Sequence, residues 1–308
     1  MSAVPAEHPS PTPRRVRDDS WRLAPGDEVV PEVSAVKLLG GGSAYEAYLA
    51  FDEVTYAPVV VKVLRPSQVE DRSAQRGLRR EVHALATINH PVVVRGLRHE
   101  LEGPRPHVVL ENVDGPRLSS LVRRYGPLQE QQYLPLALDV CSALHYFRRT
   151  GWTHLDIKPS NVIMGAPARL IDLSVARPVE DAAALRHLIG TDAYMAPEQC
   201  DPGGRWGEPG PASDVWGLGA TLAEAVSGER AFRNGDLDAA DLAERYPQTA
   251  TAPTPLPEKV PAPVADVIGA MLAPRPEDRP LPSEVSDALE PVLAALPRGH
   301  LAGFKVRG

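Results

Sequence analysis

The chain has 308 residues, a formal net charge of −7 and an apolar fraction of 43%. That fraction is enough for a full hydrophobic core and argues against wholesale disorder, while the acidic balance argues against a nucleic-acid binder. Its two cysteines, Cys141 and Cys200, make no disulfide framework and suit a reducing compartment.

The first 25 residues carry Arg14, Arg15 and Arg17 with no apolar run behind them, so they do not read as a signal peptide; residues 1–28 are expected to be a disordered tail. No apolar stretch reaches the roughly 18 residues of a membrane span, and a cytoplasmic protein is expected. Valine-rich, alternating runs over 29–64 predict strands joined by a turn at Gly40-Gly41-Gly42. From 72 to 89 the period becomes helical, with Leu78, Val82 and Leu85 on one face. Strand-like runs return near 92–99 and 107–113. After Gly115 a stripe of Leu134, Leu138, Cys141 and Leu144 predicts a helix over 129–149, followed by brief strands within 152–172. The segment 214–226 is apolar nearly all round, as a buried helix is. Further helices are predicted over 236–245, 262–273 and 283–296. This order predicts an α+β chain: a small antiparallel sheet with one helix over 29–113, a larger, mainly helical part over 114–297, and a tail at 298–308.

Only five of the 33 basic residues are lysine. An ammonium is a compact point charge where a guanidinium is a wide fork, so a lysine kept in an arginine-rich chain invites a chemical explanation. Lys62 lies inside Val60-Val61-Lys62-Val63-Leu64, where burial is costly unless an anion meets it. The plainer alternative is an edge-strand lysine facing water. Gly40, Gly41, Gly42 and Ser43 let backbone N–H groups close over phosphates, or form an ordinary hairpin turn. Glu81, beside the apolar face of the 72–89 helix, reads locally as a solvated carboxylate. The strongest run is Thr153-His154-Leu155-Asp156-Ile157-Lys158-Pro159-Ser160-Asn161-Val162-Ile163-Met164, followed by Leu170-Ile171-Asp172-Leu173-Ser174. Farther on stand Gly190 to Glu198, Asp214-Val215-Trp216-Gly217-Leu218-Gly219, and Arg279 in Pro276-Glu277-Asp278-Arg279-Pro280.

In this order and spacing the motifs resemble the eukaryotic-like, bacterial serine/threonine protein kinases, over residues 36–290. The resemblance implies a bilobal protein-kinase fold. It implies transfer of the γ-phosphoryl of ATP, with Mg²⁺ or Mn²⁺, to a Ser/Thr hydroxyl of a protein substrate, and it assigns no oligomeric state; that no nucleic-acid or membrane partner is expected rests on the acidic charge and the absence of a long apolar stretch. Carried over residue by residue, Asp156 accepts the substrate proton and Lys158 touches the γ-phosphate. Asn161 and Asp172 ligate the metal, and Lys62, oriented by Glu81, holds phosphates. Leu39, Gly40, Gly41, Gly42 and Ser43 cover the nucleotide, and Ala47, Val60, Glu111, Val113 and Ile163 line the adenine pocket. Lys158-Pro159 is the serine/threonine pattern rather than the tyrosine one, and Arg279 is expected to pair with Glu198.

The chain departs from the family in several places. Tyr45 replaces the third loop glycine and Ala44 the aromatic before it. Ala47 and Val60 exchange a valine and an alanine, a swap expected to conserve pocket volume roughly. Leu155 replaces the arginine that gathers an activation-segment phosphate, and Ser174 is the only hydroxyl residue between Asp172 and Gly190. An enzyme independent of activation-segment phosphorylation is therefore expected. The alternative, a pseudokinase scaffold or nucleotide-sensing module, draws on Tyr45, Ala44 and Ser174. A small-molecule kinase of similar fold fits less well, because such relatives usually lack the Lys-Pro and Ala-Pro-Glu found here.

Overall fold

The computed structural model describes residues 19–297. Two compact units divide them: residues up to Arg79 with Gly96–Asn112, and Arg80–Arg95 with the residues from Val113 onward.

The first unit holds six antiparallel strands, β1 (Glu28–Val30), β2 (Val33–Gly41), β3 (Tyr45–Asp52), β4 (Ala57–Leu64), β5 (Gly96–Glu100) and β6 (His107–Glu111), in the order β1-β2-β3-β4-β6-β5. Along β3, buried positions alternate with half-buried ones, the period of two that pleating imposes. Tyr48, Ala50, Val59, Val61, Val63 and Val109 lie on one face and form a core with Val29, Val30, Val33 and Ala35. β-branched side chains suit such a surface. Arg98 clamps Asp52 with two hydrogen bonds of 2.7 Å. That guanidinium holds the carboxyl well below the usual carboxylate range.

Residues 19–28 correct one expectation. Their composition predicts part of a disordered tail, yet Trp21 and Leu23 pack on the sheet core, and the Trp21 indole donates to the Leu64 carbonyl at 2.7 Å. Apolar burial and a satisfied indole N–H offset the ordering of this segment. The remainder of that expected tail, 1–18, and the expected tail at 298–308 lie outside the described residues.

Helix α1 (Arg72–Thr87) crosses the boundary between the units. The second unit contains α2 (Leu118–Tyr125), α3 (Glu130–Thr150) and four two-residue strands, β7 (Trp152–Thr153), β8 (Val162–Ile163), β9 (Arg169–Leu170) and β10 (Arg177–Pro178). Then come α4 (Val179–Ala183), α5 (Pro197–Cys200), α6 (Pro211–Ser227), α7 (Leu242–Arg245), α8 (Ala262–Met271) and α9 (Pro282–Ala294). The all-round apolar α6 is buried as its composition requires: Trp216 stacks on Phe232, and a Cβ on Gly219 would meet Met271 at 2.9 Å.

Three elements differ from expectation. Strand β5 starts only at Gly96, because Val93 instead makes an isolated bridge to Leu170. Helix α2 falls where no helix was expected. Over 236–245 only α7 is helical: Asp236 accepts from Asp238 N–H, and Asp241 accepts from Ala243 and Glu244 N–H. Aspartates that capture nearby backbone donors compete with helix propagation and start helices instead. Among the described residues, no helix is long and apolar enough to cross a membrane.

Candidate active site

In the first unit the β2–β3 turn carries the glycines. Gly40 has φ +134°, a region that side chains avoid, and a Cβ on Gly41 would come within 2.2 Å of the Tyr45 carbonyl oxygen. Both glycines are thus required by the backbone. Gly42 and Ser43 form the turn between the strands, and Leu39 is exposed on β2. Strand β4 lies between β3 and β6, so Lys62 is a buried residue of a central strand and not an edge lysine. Register pairs Ala47 with Lys62 and Leu49 with Val60, which puts Ala47, Val60 and Lys62 on one face, opposite the face of the valine core. Tyr45 begins β3 on that same face, and the Lys62 Nζ lies 4.4 Å from its ring centroid, a cation–π contact. Glu111 ends β6, paired with Val59.

In the second unit, β8 and β9 form a short antiparallel pair, and the Ile171 N–H donates to the Asn161 carbonyl at 2.9 Å. Asn161 and Asp172 are thereby brought to the same end of this ribbon. The Asp156 carboxylate is gripped from three sides. Lys158 Nζ donates to Oδ2 at 2.7 Å, Asn161 Nδ2 to Oδ2 at 3.1 Å, and Thr191 Oγ1 to Oδ1 at 2.7 Å. Lys158 also donates to Thr191 Oγ1 at 2.5 Å. Asp172 adopts φ +70°. Ile163 is buried against Gly115, and Val113 is half-buried. Glu81 is 1% exposed, which excludes the solvated carboxylate considered from sequence.

The catalytic-loop backbone has a second layer of control. Asp214, buried at the start of α6, accepts from Thr153 Oγ1 at 2.8 Å and from the His154 and Leu155 N–H groups, each at 2.7 Å. Burial pushes its carboxyl pKa up, and these donors pull it down. They hold Leu155 at φ +63°, a conformation that branched residues rarely adopt. Gly217 lets α6 approach, since a Cβ there would stand 2.9 Å from the Ile157 carbonyl oxygen. Gln199 Nε2 donates to the carbonyls of Leu155 and Ile189, at 2.9 and 3.1 Å. The pattern of 214–219 predicts only a buried helix, and nothing in the sequence points to Gln199. The acidic start of an otherwise apolar helix was the one available signal for Asp214.

Leu155 itself is buried with Ala182 and Leu185, and Val175 and Ile189 pack against them. Farther along, Arg279 meets Glu198 through two hydrogen bonds of 2.7 and 2.8 Å, both side chains fully buried, as the family resemblance implied. Among the described residues no group of three or more His, Cys, Asp or Glu could hold a metal alone. Asn161 and Asp172 supply oxygen donors that suit a hard cation completing its shell with phosphate oxygens and water.

A glycine turn and buried lysine on a small antiparallel sheet, with an Asp-x-Lys-x-x-Asn loop and a following Asp in a helical unit, define a protein kinase domain. The family model for the protein kinase domain matches residues 33–289, and the chain belongs to that family. Among similar proteins, serine/threonine-protein kinase PknB of Mycobacterium leprae is 35% identical over 204 residues, 63% of this chain and 32% of that protein. The probable serine/threonine-protein kinase PkwA of Thermomonospora curvata is 33% identical over 214 residues, 68% and 28% of the two chains. The probable PknB of Bifidobacterium longum is 30% identical over 233 residues, 71% and 33%. The matched part is thus about a third of each relative's length.

Proposed function

We propose that the chain is a serine/threonine protein kinase that transfers the γ-phosphoryl of ATP to hydroxyls of a protein substrate. The observation that carries this reading is the Asp156 carboxylate, held by Lys158, Thr191 and Asn161. In this reading Asp156 orients the acceptor hydroxyl and takes its proton. Lys158 and Lys62 offset phosphate charge, with Glu81 orienting Lys62. Asn161 and Asp172 hold the divalent cation, Mg²⁺ or Mn²⁺, which supplies charge neutralisation on the phosphates. The residues 39–43, Ala47, Val60, Glu111, Val113 and Ile163 receive the nucleotide. A cytoplasmic location is supported by two free, buried thiols, Cys141 and Cys200. The test is incorporation of ³²P from [γ-³²P]ATP into a generic protein with Mg²⁺ or Mn²⁺, followed by phosphoamino-acid analysis. Phosphoserine or phosphothreonine is expected; phosphotyrosine alone, or no incorporation, overturns the reading. Absence of incorporation with retained ATP binding is the outcome for a nucleotide-sensing module, a reading favoured by the Tyr45 ring over Lys62.

The enzyme is further proposed to work without activation-segment phosphorylation. Where an arginine would gather a phosphate, Leu155 packs with Ala182 and Leu185, so apolar burial takes over the ordering of the segment. Leu185→Ala opens a cavity there. It is expected to cost about 2–5 kcal/mol of stability and to lower kcat about tenfold through a displaced catalytic loop. Phosphosite mapping of active enzyme is expected to find 175–191 unmodified. A stoichiometric phosphate there that raises activity contradicts the proposal.

A further inference from the structure

Arg65 directly follows β4 and is 7% exposed. Its guanidinium reaches in three directions. Nε donates to the Gly42 carbonyl at 2.8 Å, and Nη1 donates to Glu46 Oε1 at 3.2 Å and to the Asp19 carbonyl at 2.6 Å. Its backbone N–H donates to the Ala44 carbonyl at 2.9 Å. Glu46 is equally buried, and its Oε2 accepts from the Tyr48 hydroxyl at 2.8 Å and from Trp21 N–H at 3.2 Å. The segment that supplies Asp19 and Trp21 is itself anchored. The Asp19 carboxylate accepts from Ser67 N–H and Oγ at 2.9 and 2.6 Å, and the Trp21 indole is fixed on Leu64.

The consequence follows from peptide geometry. In a planar trans peptide, the carbonyl of one residue and the N–H of the next point in opposite directions. Fixing the Gly42 carbonyl on Arg65 therefore fixes the Ser43 N–H on the far side of the turn. Fixing the Ala44 carbonyl does the same for the Tyr45 N–H. A Cβ on Gly42 would touch nothing within 4 Å, so side-chain packing around that residue does not set this orientation. We propose that Arg65 is a positioning residue for the phosphate loop, and that the segment 19–21, upstream of the family match at 33–289, acts through it on how the loop binds phosphate. Asp19 and Glu46 keep the guanidinium fork aimed at Gly42. A lysine's three N–H donors radiate from one nitrogen, so it cannot reach acceptors spread across Nε and Nη1 as this guanidinium does.

The inference rests on reading 40–43 as the phosphate loop, and the test separates the two. Dissociation constants for ATP with Mg²⁺ and for adenosine are measured on the full chain and on Arg65→Lys, Asp19→Ala and Gly40→Ala. Arg65→Lys is expected to weaken ATP about tenfold while adenosine, which has no phosphate, stays within about twofold. Asp19→Ala, at a partly exposed residue, is expected to shift ATP about threefold in the same sense, and it carries the test if the Arg65 variant fails to fold. Gly40→Ala, strained at φ +134°, must also weaken ATP selectively if the loop binds phosphate. No selective loss with Gly40→Ala overturns the loop assignment. A selective loss there, with ATP and adenosine weakened equally or not at all by Arg65→Lys or, in its place, Asp19→Ala, overturns the role of Arg65.

Discussion

Replacing Asp156 with Asn is expected to lower kcat by about 10²–10⁴-fold, the usual contribution of a positioned proton acceptor, with little change in ATP affinity or thermal stability. The hydrogen bonds explain why so large a loss should come with so small a structural effect. Lys158 Nζ and Asn161 Nδ2 both donate to Oδ2, so the amide oxygen of the variant belongs there. The amide NH₂ then faces Thr191 Oγ1, whose hydroxyl now donates to Oδ1 but has a lone pair with which to accept instead. The side chain keeps its place and loses its negative charge and its capacity to take a proton. A melting curve near that of the parent, with kcat collapsed and the KM for ATP preserved, is the expected pattern. A variant retaining a tenth or more of the parent kcat removes Asp156 from the role of proton acceptor.

Much of this site was legible in the sequence because local spacing dictates it. The turn between Thr153 and Met164, and the short β8–β9 ribbon, bring Asn161 and Asp172 together mainly through contacts close in sequence, with the Val93 bridge to Leu170 added from farther away. Lys62 among valines read correctly as a cation in a strand, but whether that strand was central depended on β6 pairing with it, a contact about 45 residues away that alternation alone does not specify. Asp214 shows the same limit. It holds backbone donors 59 and 60 positions earlier, and nothing in the periodicity of α6 says which carbonyl or N–H its carboxylate meets. The order of segment 19–28 is hidden from the sequence for a related reason. Its composition is polar and proline-bearing, and its order comes from Trp21 reaching Leu64, 43 positions on. Over 236–241 the apolar period was present, yet Asp236 and Asp241 divert backbone donors that a helix needs.

The largest stability effect is expected at Glu198 and Arg279. Each side chain is wholly removed from water. Beyond its two bonds to Glu198, Arg279 donates to the carbonyls of Ala273, Pro274 and Ala212 at 2.8, 3.0 and 3.0 Å, and its guanidinium lies 5.0 Å from the ring centroid of Trp216. Arg279→Met keeps much of the apolar stem but strands a buried carboxylate and three carbonyls. Ser213, donating to Glu198 Oε1 at 2.7 Å, compensates only part of the loss. Breaking a buried pair from one side costs about 3–5 kcal/mol. In a domain of this size that lowers the melting temperature by on the order of 10 °C. The companion Glu198→Gln removes the stranded charge, so the double variant is expected to recover part of the loss, a coupling that a double-mutant cycle in urea reads directly. Strictly additive losses would show that the pair is not coupled. The pair also bears on function. Glu198 adjoins Gln199, which holds the Leu155 and Ile189 carbonyls. Loosening α5 therefore releases both the catalytic loop and the segment packed on it, and Arg279→Met is expected to lose kcat well below its melting temperature, with ATP affinity kept.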